Sequence, residues 1–372
     1  MTSIIYVGMD VHTTNYTLCC YSMEDDRFFA EVQVEPDAKN ILKYLARIEK
    51  QQSRDCRIVC GYEAGCLGYS LYHQLHAHGI DCVILAPTTM MTKPGKRIKT
   101  DRRDARLISK CLAFHTYSPV YIPTEVDDTV KEYIRMRDDA NSALARVKQQ
   151  NIAFCIRHGK IHDGKSYWTN KHLEWLSSLD LGNKILSEVL QEYLIRYYQL
   201  REQVDVYDMR INELAQAEPY RQKVEKLGCF RGIAAHTALS FCVEVGDFRR
   251  FATAPQFASY PGLVPGECSS GDKQQYTGIT KAGNSHLRKL LVETAQVFGR
   301  SATKSGKSVA LKERQAKCDS LTVAYADKAN ARLKKKYFKI AMRSKVNIAK
   351  TAVAREMACF IWGMMTDNIS CA

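Results

Sequence analysis

The sequence predicts an α/β domain at the N-terminus, a helical hairpin in the middle and a mainly α-helical domain at the C-terminus. Residues 1–122 contain five strand-like runs that alternate with helical spacing, 123–218 contain two long heptad-like series, and 219–372 contain short helical runs between glycine-rich turns. A chain of 372 residues is also too long for one ordinary core. We therefore expect three domains with these limits.

The charge balance indicates a polyanionic partner. The chain carries a formal net charge of +14 and has a pI near 9.1, and so much positive charge repels itself unless phosphates neutralise it. Residues 300–356 hold 16 Lys or Arg against 4 Asp or Glu, a net of +12. We expect the partner to be nucleic acid.

Cysteine usage and hydropathy indicate where the protein works. The 14 cysteines never form a pair of Cys-x-x-Cys knuckles, so neither a zinc ribbon nor a disulfide framework is predicted. The N-terminus lacks the pattern of a signal peptide, and no apolar run approaches the roughly 20 residues that cross a bilayer. We expect a soluble protein of the reducing cytoplasm, with no membrane partner.

The first three strand-like runs suggest an antiparallel meander. Residues 4–11 are almost continuously apolar, as in a buried central strand, and Asp10 interrupts them. A buried carboxylate costs several kcal/mol unless it is neutral, paired or bound to a metal. The runs 17–22 and 28–34 follow and are joined by a polar turn.

Alternating helices and strands come next. Helical spacing over 41–48 precedes a strand-like run at 56–63, which ends at Glu63. A helix over 67–77 and a fifth strand over 81–87 complete the alternation.

The stretch 96–106 then places two carboxylates among six cations. Thr100 is a suitable N-cap, because acidic residues follow it in the first turn and apolar residues follow those. Asp101 and Asp104 are three positions apart and share one face of that helix, so both can reach one divalent cation. A solvated helix start with local ion pairs would show the same spacing.

This order of elements resembles the ribonuclease-H-like fold. That resemblance implies an acid in the first strand, one at the end of the fourth and others on a late helix, here Asp10, Glu63, Asp101 and Asp104. Four carboxylates close together cannot all stay ionised without cations. Two Mg²⁺ ions about 3.5–4 Å apart, or Mn²⁺ in their place, would satisfy them.

The middle of the chain predicts two long helices. Apolar residues recur at heptad spacing over 126–154, and a cleaner series occupies nine consecutive places: Leu186, Leu190, Tyr193, Tyr197, Leu200, Val204, Tyr207, Ile211 and Leu214. A polar insert at 158–183 separates them, which favours an antiparallel coiled-coil hairpin. Such a hairpin either exposes a seam that joins subunits or packs within one domain, because heptads do not reveal whose helix fills the seam.

Glycine-rich segments follow the hairpin. Residues 227–238 look like the turn of a helix-hairpin-helix element, whose next helix can present its N-terminal amides to a phosphate. Glycine, serine and lysine are dense over 260–288, as in loops that approach a phosphate backbone.

Several ordered motifs together resemble the DEDD-type insertion-sequence transposases. They are GMDVH at 8–12, YEA at 62–64, KTDRRDA at 99–105, the block 260–288 and AREMACFIW at 354–362. The resemblance runs nearly end to end. It implies a RuvC-like N-terminal domain and a distinct C-terminal transposase domain that carries a nucleophilic serine.

The resemblance also implies residue roles and partners. The four metal-binding acids correspond to Asp10, Glu63, Asp101 and Asp104, and the nucleophile corresponds to Ser270, with Ser269 beside it. The implied partners are donor and target DNA and a structured RNA encoded by the element. A homo-oligomer, dimer or tetramer, near the nucleoid of a bacterial or archaeal cell is expected.

Other functions use parts of the same residue set. A metal-dependent RuvC-like junction resolvase would use the four acids to hydrolyse DNA with water and leave Ser270 idle, and a nucleic-acid-binding protein would need neither. An actin-like sugar kinase also begins with an Asp on a first strand, but the glycine-rich phosphate loops that it needs are absent from this sequence.

Basic residues beside these motifs are candidates for nucleic-acid contacts. They are Lys99, Arg102, Arg103, Arg106, Lys281, Arg288, Arg332, Lys334, Lys335, Lys336, Lys339 and Arg343.

Overall fold

A computed structural model describes the chain over residues 3–52, 56–90, 100–267, 275–300 and 306–369. The chain divides into two compact units, Met1–Ile122 and Pro123–Ala372. In the described ranges, no helix has both the length and the apolar character needed to span a bilayer.

The first unit is built on one mixed sheet of five strands. The strands are β1 (Ser3–Val11), β2 (Tyr16–Ser22), β3 (Arg27–Val34), β4 (Cys56–Glu63) and β5 (Asp81–Leu85). Their order in the sheet is β3-β2-β1-β4-β5, with β1, β2 and β3 antiparallel and with β4 and β5 parallel to β1. The predicted meander and alternation are confirmed, and the arrangement is consistent with an α/β nuclease-like domain.

Helices cover both faces of this sheet. Helices α1 (Ala38–Gln51) and α2 (Ser70–Ala77) pack against the face that carries Val7 and Met9. Helix α3 (Asp101–Phe114) packs on the opposite face, against Tyr6. Because side chains alternate along a strand, Gly8 and Asp10 lie on the same face as Tyr6 and α3.

Gly8 allows α3 to lie directly on β1. A Cβ atom at Gly8 would stand 2.0 Å from the carbonyl oxygen of Ala105 and 2.4 Å from the backbone nitrogen of Ser109. No side chain fits between the two backbones. The approach of α3 to β1 therefore depends on this glycine.

The second unit begins with an antiparallel helix pair. Helices α4 (Glu125–Arg157) and α6 (Lys184–Gln216) flank the short α5 (Asn170–Ser177). Tyr133 meets Tyr207, with ring centroids 5.8 Å apart, and Phe154 meets Tyr193 at the same separation. The predicted hairpin is therefore present.

The nine heptad positions of α6 are all buried or half-buried, and those at its core pack against α4 of the same chain. Of the two alternatives for this hairpin, the structure shows packing within one domain, because α4 supplies the apolar side chains that fill the seam. The insert 158–183 contributes to the same core through Leu173 and Leu176 of α5.

The remaining helices surround a second, larger core. They are α7 (Arg221–Gly228), α8 (Ala235–Val245), α9 (Ala254–Ser259), α10 (Ser285–Arg300), α11 (Val309–Gln315), α12 (Ser320–Ala341) and α13 (Val346–Met365), and β6 (Pro265–Glu267) pairs antiparallel with β7 (Tyr276–Ile279) between α9 and α10. Every residue of α8 from Ala238 onward is buried.

The helix-turn-helix at α7 and α8 matches the predicted hairpin, but its turn faces the protein. The backbone N–H of Arg231 donates to Asn330 Oδ1 at 2.9 Å, and the carbonyl of Cys229 accepts from Gln315 Nε2 at 3.1 Å. These bonds fix the turn against α11 and α12, and the phosphate contact proposed for the N-terminal amides of α8 stays a prediction.

Candidate active site

Asp10 lies at the end of the central strand, next to the strand that ends in Glu63. The last paired positions of β1 and β4 are Met9 and Tyr62. Asp10 and Glu63 are the next residues on these neighbouring parallel strands, so they lie side by side in the sheet. The Asp10 side chain is 14% exposed, whereas Glu63 is exposed.

The N-terminus of α3 presents the other two acids. The Thr100 hydroxyl accepts from the backbone N–H of Arg103 at 3.4 Å, which confirms the predicted N-cap. Asp101 and Asp104 occupy the first turn, where the helix dipole favours negative charge. Lys99, immediately before the cap, lies outside the described residues.

Asp10, Asp101 and His12 form a compact group of possible metal ligands. One ligand atom from each lies within 4.8 Å of those of the other two, and His12 Nε2 is 3.3 Å from Asp10 Oδ2. Sequence reasoning missed His12 as a ligand. Its position two residues after Asp10 was the available signal, although His12 lies one residue beyond the end of β1.

The electrostatics of this group suit a cation. Burial raises the pKa of Asp10, and the negative charges of Asp104 and Asp101 raise it further, while His12 acts in the opposite direction. A partly buried carboxylate with other acids close by is the kind of donor that a hard divalent cation stabilises. The residues present therefore fit a divalent metal.

The structure does not bring all four predicted acids into one group. Asp104 is not one of the three residues whose ligand atoms lie within 4.8 Å of one another. Its negative charge is nevertheless close enough to raise the pKa of Asp10. Glu63 ends the adjacent strand and is not part of that set. Its position next to Asp10 in the sheet is the observation that associates it with the site.

Two of the predicted nucleic-acid contacts on α3 are engaged within the protein. Arg106 Nε donates to Glu31 Oε2 at 2.6 Å, and Arg102 Nε lies 3.3 Å from Glu31 Oε1. Glu31 comes from β3, so these arginines tie the helix to the edge of the sheet. All three arginines, Arg102, Arg103 and Arg106, are exposed on the solvent side of the helix.

The glycine-rich block is folded back on itself beside α10. Arg288 Nη1 donates to the carbonyl of Pro261 at 2.7 Å and approaches that of Ala282 at 3.3 Å. Gly283 has φ +74°, and a Cβ there would lie 2.0 Å from the carbonyl oxygen of Tyr260. Arg288 therefore fixes the base of the β6–β7 segment, whereas Lys281 is exposed. Ser269 and Ser270 lie outside the described residues.

The basic residues of α12 and just after it differ in their surroundings, because some are paired within the protein and others face solvent. Arg332 and Lys336 both pair with Glu356 of α13, the lysine at 2.6 Å. Lys335, Lys339 and Arg343 are exposed, and Lys334 is partly exposed.

A second titratable cluster, which sequence reasoning missed, joins three helices of the second unit. Asp138 Oδ1 lies 3.0 Å from His236 Nε2, and Asp138 Oδ2 lies 3.8 Å from His286 Nε2. Burial lowers the pKa of His286, although the nearby Glu244 and Asp138 oppose this. No sequence signal connects residues so far apart in the chain.

A five-stranded α/β sheet with clustered carboxylates, followed by a helical unit, is consistent with a nuclease-like class of protein. The family described as "Transposase IS116/IS110/IS902 family" matches residues 225–314, and a second transposase family, of DEDD type, matches residues 7–155.

Individual relatives agree with these family matches. The transposase for insertion sequence element IS1533 of Leptospira borgpetersenii is 32% identical over 340 residues, covering 90% of this chain and 95% of its own. A Sinorhizobium fredii protein that carries the transposase designation y4qE is 34% identical over 307 residues, covering 82% of this chain and 75% of its own. The chain belongs to the IS110 family of insertion-sequence transposases and is a DNA transposase.

Proposed function

We propose that this transposase cleaves DNA with the four acids Asp10, Glu63, Asp101 and Asp104 in a ribonuclease-H-like, RuvC-like domain, and exchanges strands through Ser270. The observation that carries the proposal is the group formed by Asp10, His12 and Asp101, in which burial and neighbouring carboxylates raise the pKa of Asp10. Clustered ligands around a carboxylate with a raised pKa are typical of a functional site, and a divalent cation would stabilise the ionised carboxylates.

Asp10 and Asp101 would hold Mg²⁺, or Mn²⁺, with Asp104 and Glu63 completing a site for two ions. A bound ion polarises the phosphate and stabilises the charge that develops on its oxygens. His12 lies within 3.3 Å of Asp10 and restrains the orientation of that carboxylate. Gly8 lets α3 lie directly on β1 at Ala105 and Ser109, and Thr100 caps the first turn, which carries Asp101 and Asp104.

The serine step conserves the energy of the phosphodiester. The Ser270 oxygen attacks phosphorus, the bond from phosphorus to the 3′ oxygen breaks, and the proton lost by the serine is balanced by the one that the leaving 3′ oxygen takes up. The products are a phosphoserine linkage and a free 3′-hydroxyl. Reversal with a different 3′-hydroxyl joins a new strand without ATP.

A denaturing gel with labelled DNA from the ends of the element, in the presence of its RNA, tests this step. We expect a slowly migrating protein–DNA adduct for the wild type and for Ser269→Ala, and none for Ser270→Ala. An adduct lost only in Ser269→Ala would move the nucleophile by one residue. Cleaved DNA that never forms an adduct would favour the alternative, a RuvC-like resolvase that hydrolyses DNA with water.

We also propose that an element-encoded structured RNA pairs with donor and target DNA. The net charge of +14 is compatible with RNA as well as DNA, because the phosphates of either would neutralise the excess. Binding of that RNA should weaken steeply with salt, and simultaneous neutralisation of Lys334, Lys335 and Lys339 should flatten the dependence. An unchanged slope would mean that these lysines form only a solvated face.

A homo-oligomer, dimer or tetramer, remains part of the proposal because strand exchange needs at least two active sites. The filled seam between α4 and α6 no longer supports it. Four apolar residues that share one exposed side of α6 do: Ile195, Tyr198, Val206 and Met209. Light scattering of the protein with its nucleic acids tests this, and a monomer under all conditions would contradict it.

A further inference from the structure

A cavity of about 640 Å³ lies in the second unit between α9, α12 and α13. Its apolar wall includes Ala254, Val264 and Trp362, and its charged rim is formed by Arg332, Lys336 and Arg355 together with Glu356. Two of these residues, Arg355 and Glu356, belong to the motif AREMACFIW at 354–362, for which the proposed chemistry has no use. Its volume falls within the range of small-molecule and cofactor sites.

The charges on the rim are not balanced. Glu356 neutralises part of the charge of Arg332 and Lys336, both of which pair with it. The guanidinium of the half-buried Arg355 has no hydrogen-bond or ion-pair partner in the described part of the chain. Three cations against one carboxylate leave the rim suited to an anion, and Arg355 is the group free to bind it.

The aromatic side chains of the wall are held in fixed positions. Trp362 Nε1 donates to the carbonyl of Phe251 at 3.1 Å, and the Tyr325 hydroxyl donates to the carbonyl of Phe360 at 3.2 Å. Fixed aromatic surfaces lose little conformational entropy when a planar ligand packs against them. A planar apolar group with an anion attached would therefore meet both parts of the cavity.

An unpaired nucleotide has this combination of chemistry. Its base can pack against aromatic and aliphatic side chains, and its phosphate can bind a guanidinium. A base inside a duplex cannot enter, because its faces are covered by stacking.

We propose that this cavity binds one unpaired nucleotide of the DNA or RNA partner, with the base against the apolar wall and the phosphate on Arg355. The site rests on nucleic acid being the partner of this transposase, but it does not depend on the serine or on the four acids. Binding measurements in EDTA therefore separate its failure from a failure of the proposed chemistry.

The test is equilibrium binding of the full chain to ten-nucleotide single strands that carry one 2-aminopurine, made as DNA and as RNA, and to the corresponding DNA duplex. We expect quenching of the 2-aminopurine in a single strand and none in the duplex. Arg355→Ala should weaken single-strand binding about tenfold and abolish the quenching, while duplex binding stays within about twofold.

Two further variants separate the cavity from general attraction of phosphate. Ala254→Phe keeps every charge and places a large side chain in the cavity. It should therefore weaken single-strand binding and abolish the quenching as Arg355→Ala does. Lys335→Ala removes the same charge as Arg355→Ala outside the cavity, so it should weaken single-strand and duplex binding alike and keep the quenching. Thermal unfolding verifies that each variant is folded, and Arg355→Ala decides alone if Ala254→Phe does not fold.

The outcomes have definite meanings. Quenching with DNA alone, with RNA alone or with both supports the site and identifies the source of the nucleotide. Undiminished quenching in folded Arg355→Ala would overturn the proposal, and so would equal losses of single-strand and duplex binding.

Discussion

The closest backbone contact behind the candidate metal site gives a direct prediction for Gly8→Ala. The added Cβ would lie 2.0 Å from the Ala105 carbonyl oxygen and 2.4 Å from the Ser109 nitrogen, and both belong to the backbone of α3. Non-bonded heavy atoms are comfortable at about 3.5 Å, so the helix must retreat by about 1 Å or more. We expect a loss of about 1–3 kcal/mol in the free energy of unfolding, as for other overpacked cores.

The functional loss should exceed the loss of stability. A displacement of about 1 Å between catalytic groups can cost about 100-fold in rate, and α3 carries Asp101 and Asp104 while β1 carries Asp10. The assay is cleavage of labelled element DNA at a temperature where circular dichroism shows the variant to be folded. The matched control is Gly65→Ala, whose Cβ would meet nothing nearer than 3.8 Å. Wild-type cleavage and wild-type stability in Gly8→Ala would refute the close packing of α3 on β1.

Three further predictions concern charge. Arg137→Met should lower the free energy of unfolding in urea by about 2 kcal/mol, because Arg137 donates to both oxygens of Asp208 across the helix pair at 2.7 and 2.9 Å. The control Arg210→Met removes only an exposed ion pair and should cost under about 0.5 kcal/mol. Equal losses in the two variants would contradict this prediction. Burial would raise the pKa of Glu356, but hydrogen bonds from Lys336 and Arg332 outweigh it and hold the pKa below its ordinary value of 4.5. The stability that this carboxylate contributes is present above pH 4.5 and is lost as the pH falls through the lowered pKa. Glu356→Gln should therefore be about 1 kcal/mol less stable than wild type at pH 7 and equally stable in strong acid. A stability difference that does not change with pH would be a contrary result. Mg²⁺ at 100 times its dissociation constant should stabilise the wild type by about 2.7 kcal/mol relative to EDTA and leave the stability of Asp10→Asn unchanged. Equal Mg²⁺-induced shifts in the melting temperatures of the two proteins would mean that the ion binds elsewhere.

Features encoded by local patterns could be predicted from the sequence. The five strands and the N-terminus of α3 at Thr100 follow from alternation, apolar runs and capping, which depend on neighbouring residues. The approach of Asp10 to Asp101 was implied by the resemblance of the element order to the ribonuclease-H-like fold, and the structure brings these two acids together.

Features that depend on distant partners could not be predicted. The heptads of α6 do not specify which helix covers them, and α4 of the same chain does so. Arg102 and Arg106 looked available to phosphate, yet Glu31 from a distant strand binds both. The approach of Asp138 to His236 likewise arises from packing between helices, with no periodicity to announce it.

Mg²⁺-dependent cleavage of element DNA by carboxylate-to-amide variants tests the proposed metal site. Asp10→Asn removes a proposed metal ligand, and Asp25→Asn makes the same change in an exposed turn of the same unit. We predict that Asp10→Asn loses about a thousandfold in cleavage rate, equivalent to several kcal/mol of transition-state stabilisation, while it binds DNA as well as wild type does. Glu63→Gln should show a comparable loss if the fourth acid shares the site. Cleavage by Asp10→Asn at the rate of Asp25→Asn, at any Mg²⁺ concentration, would contradict the account.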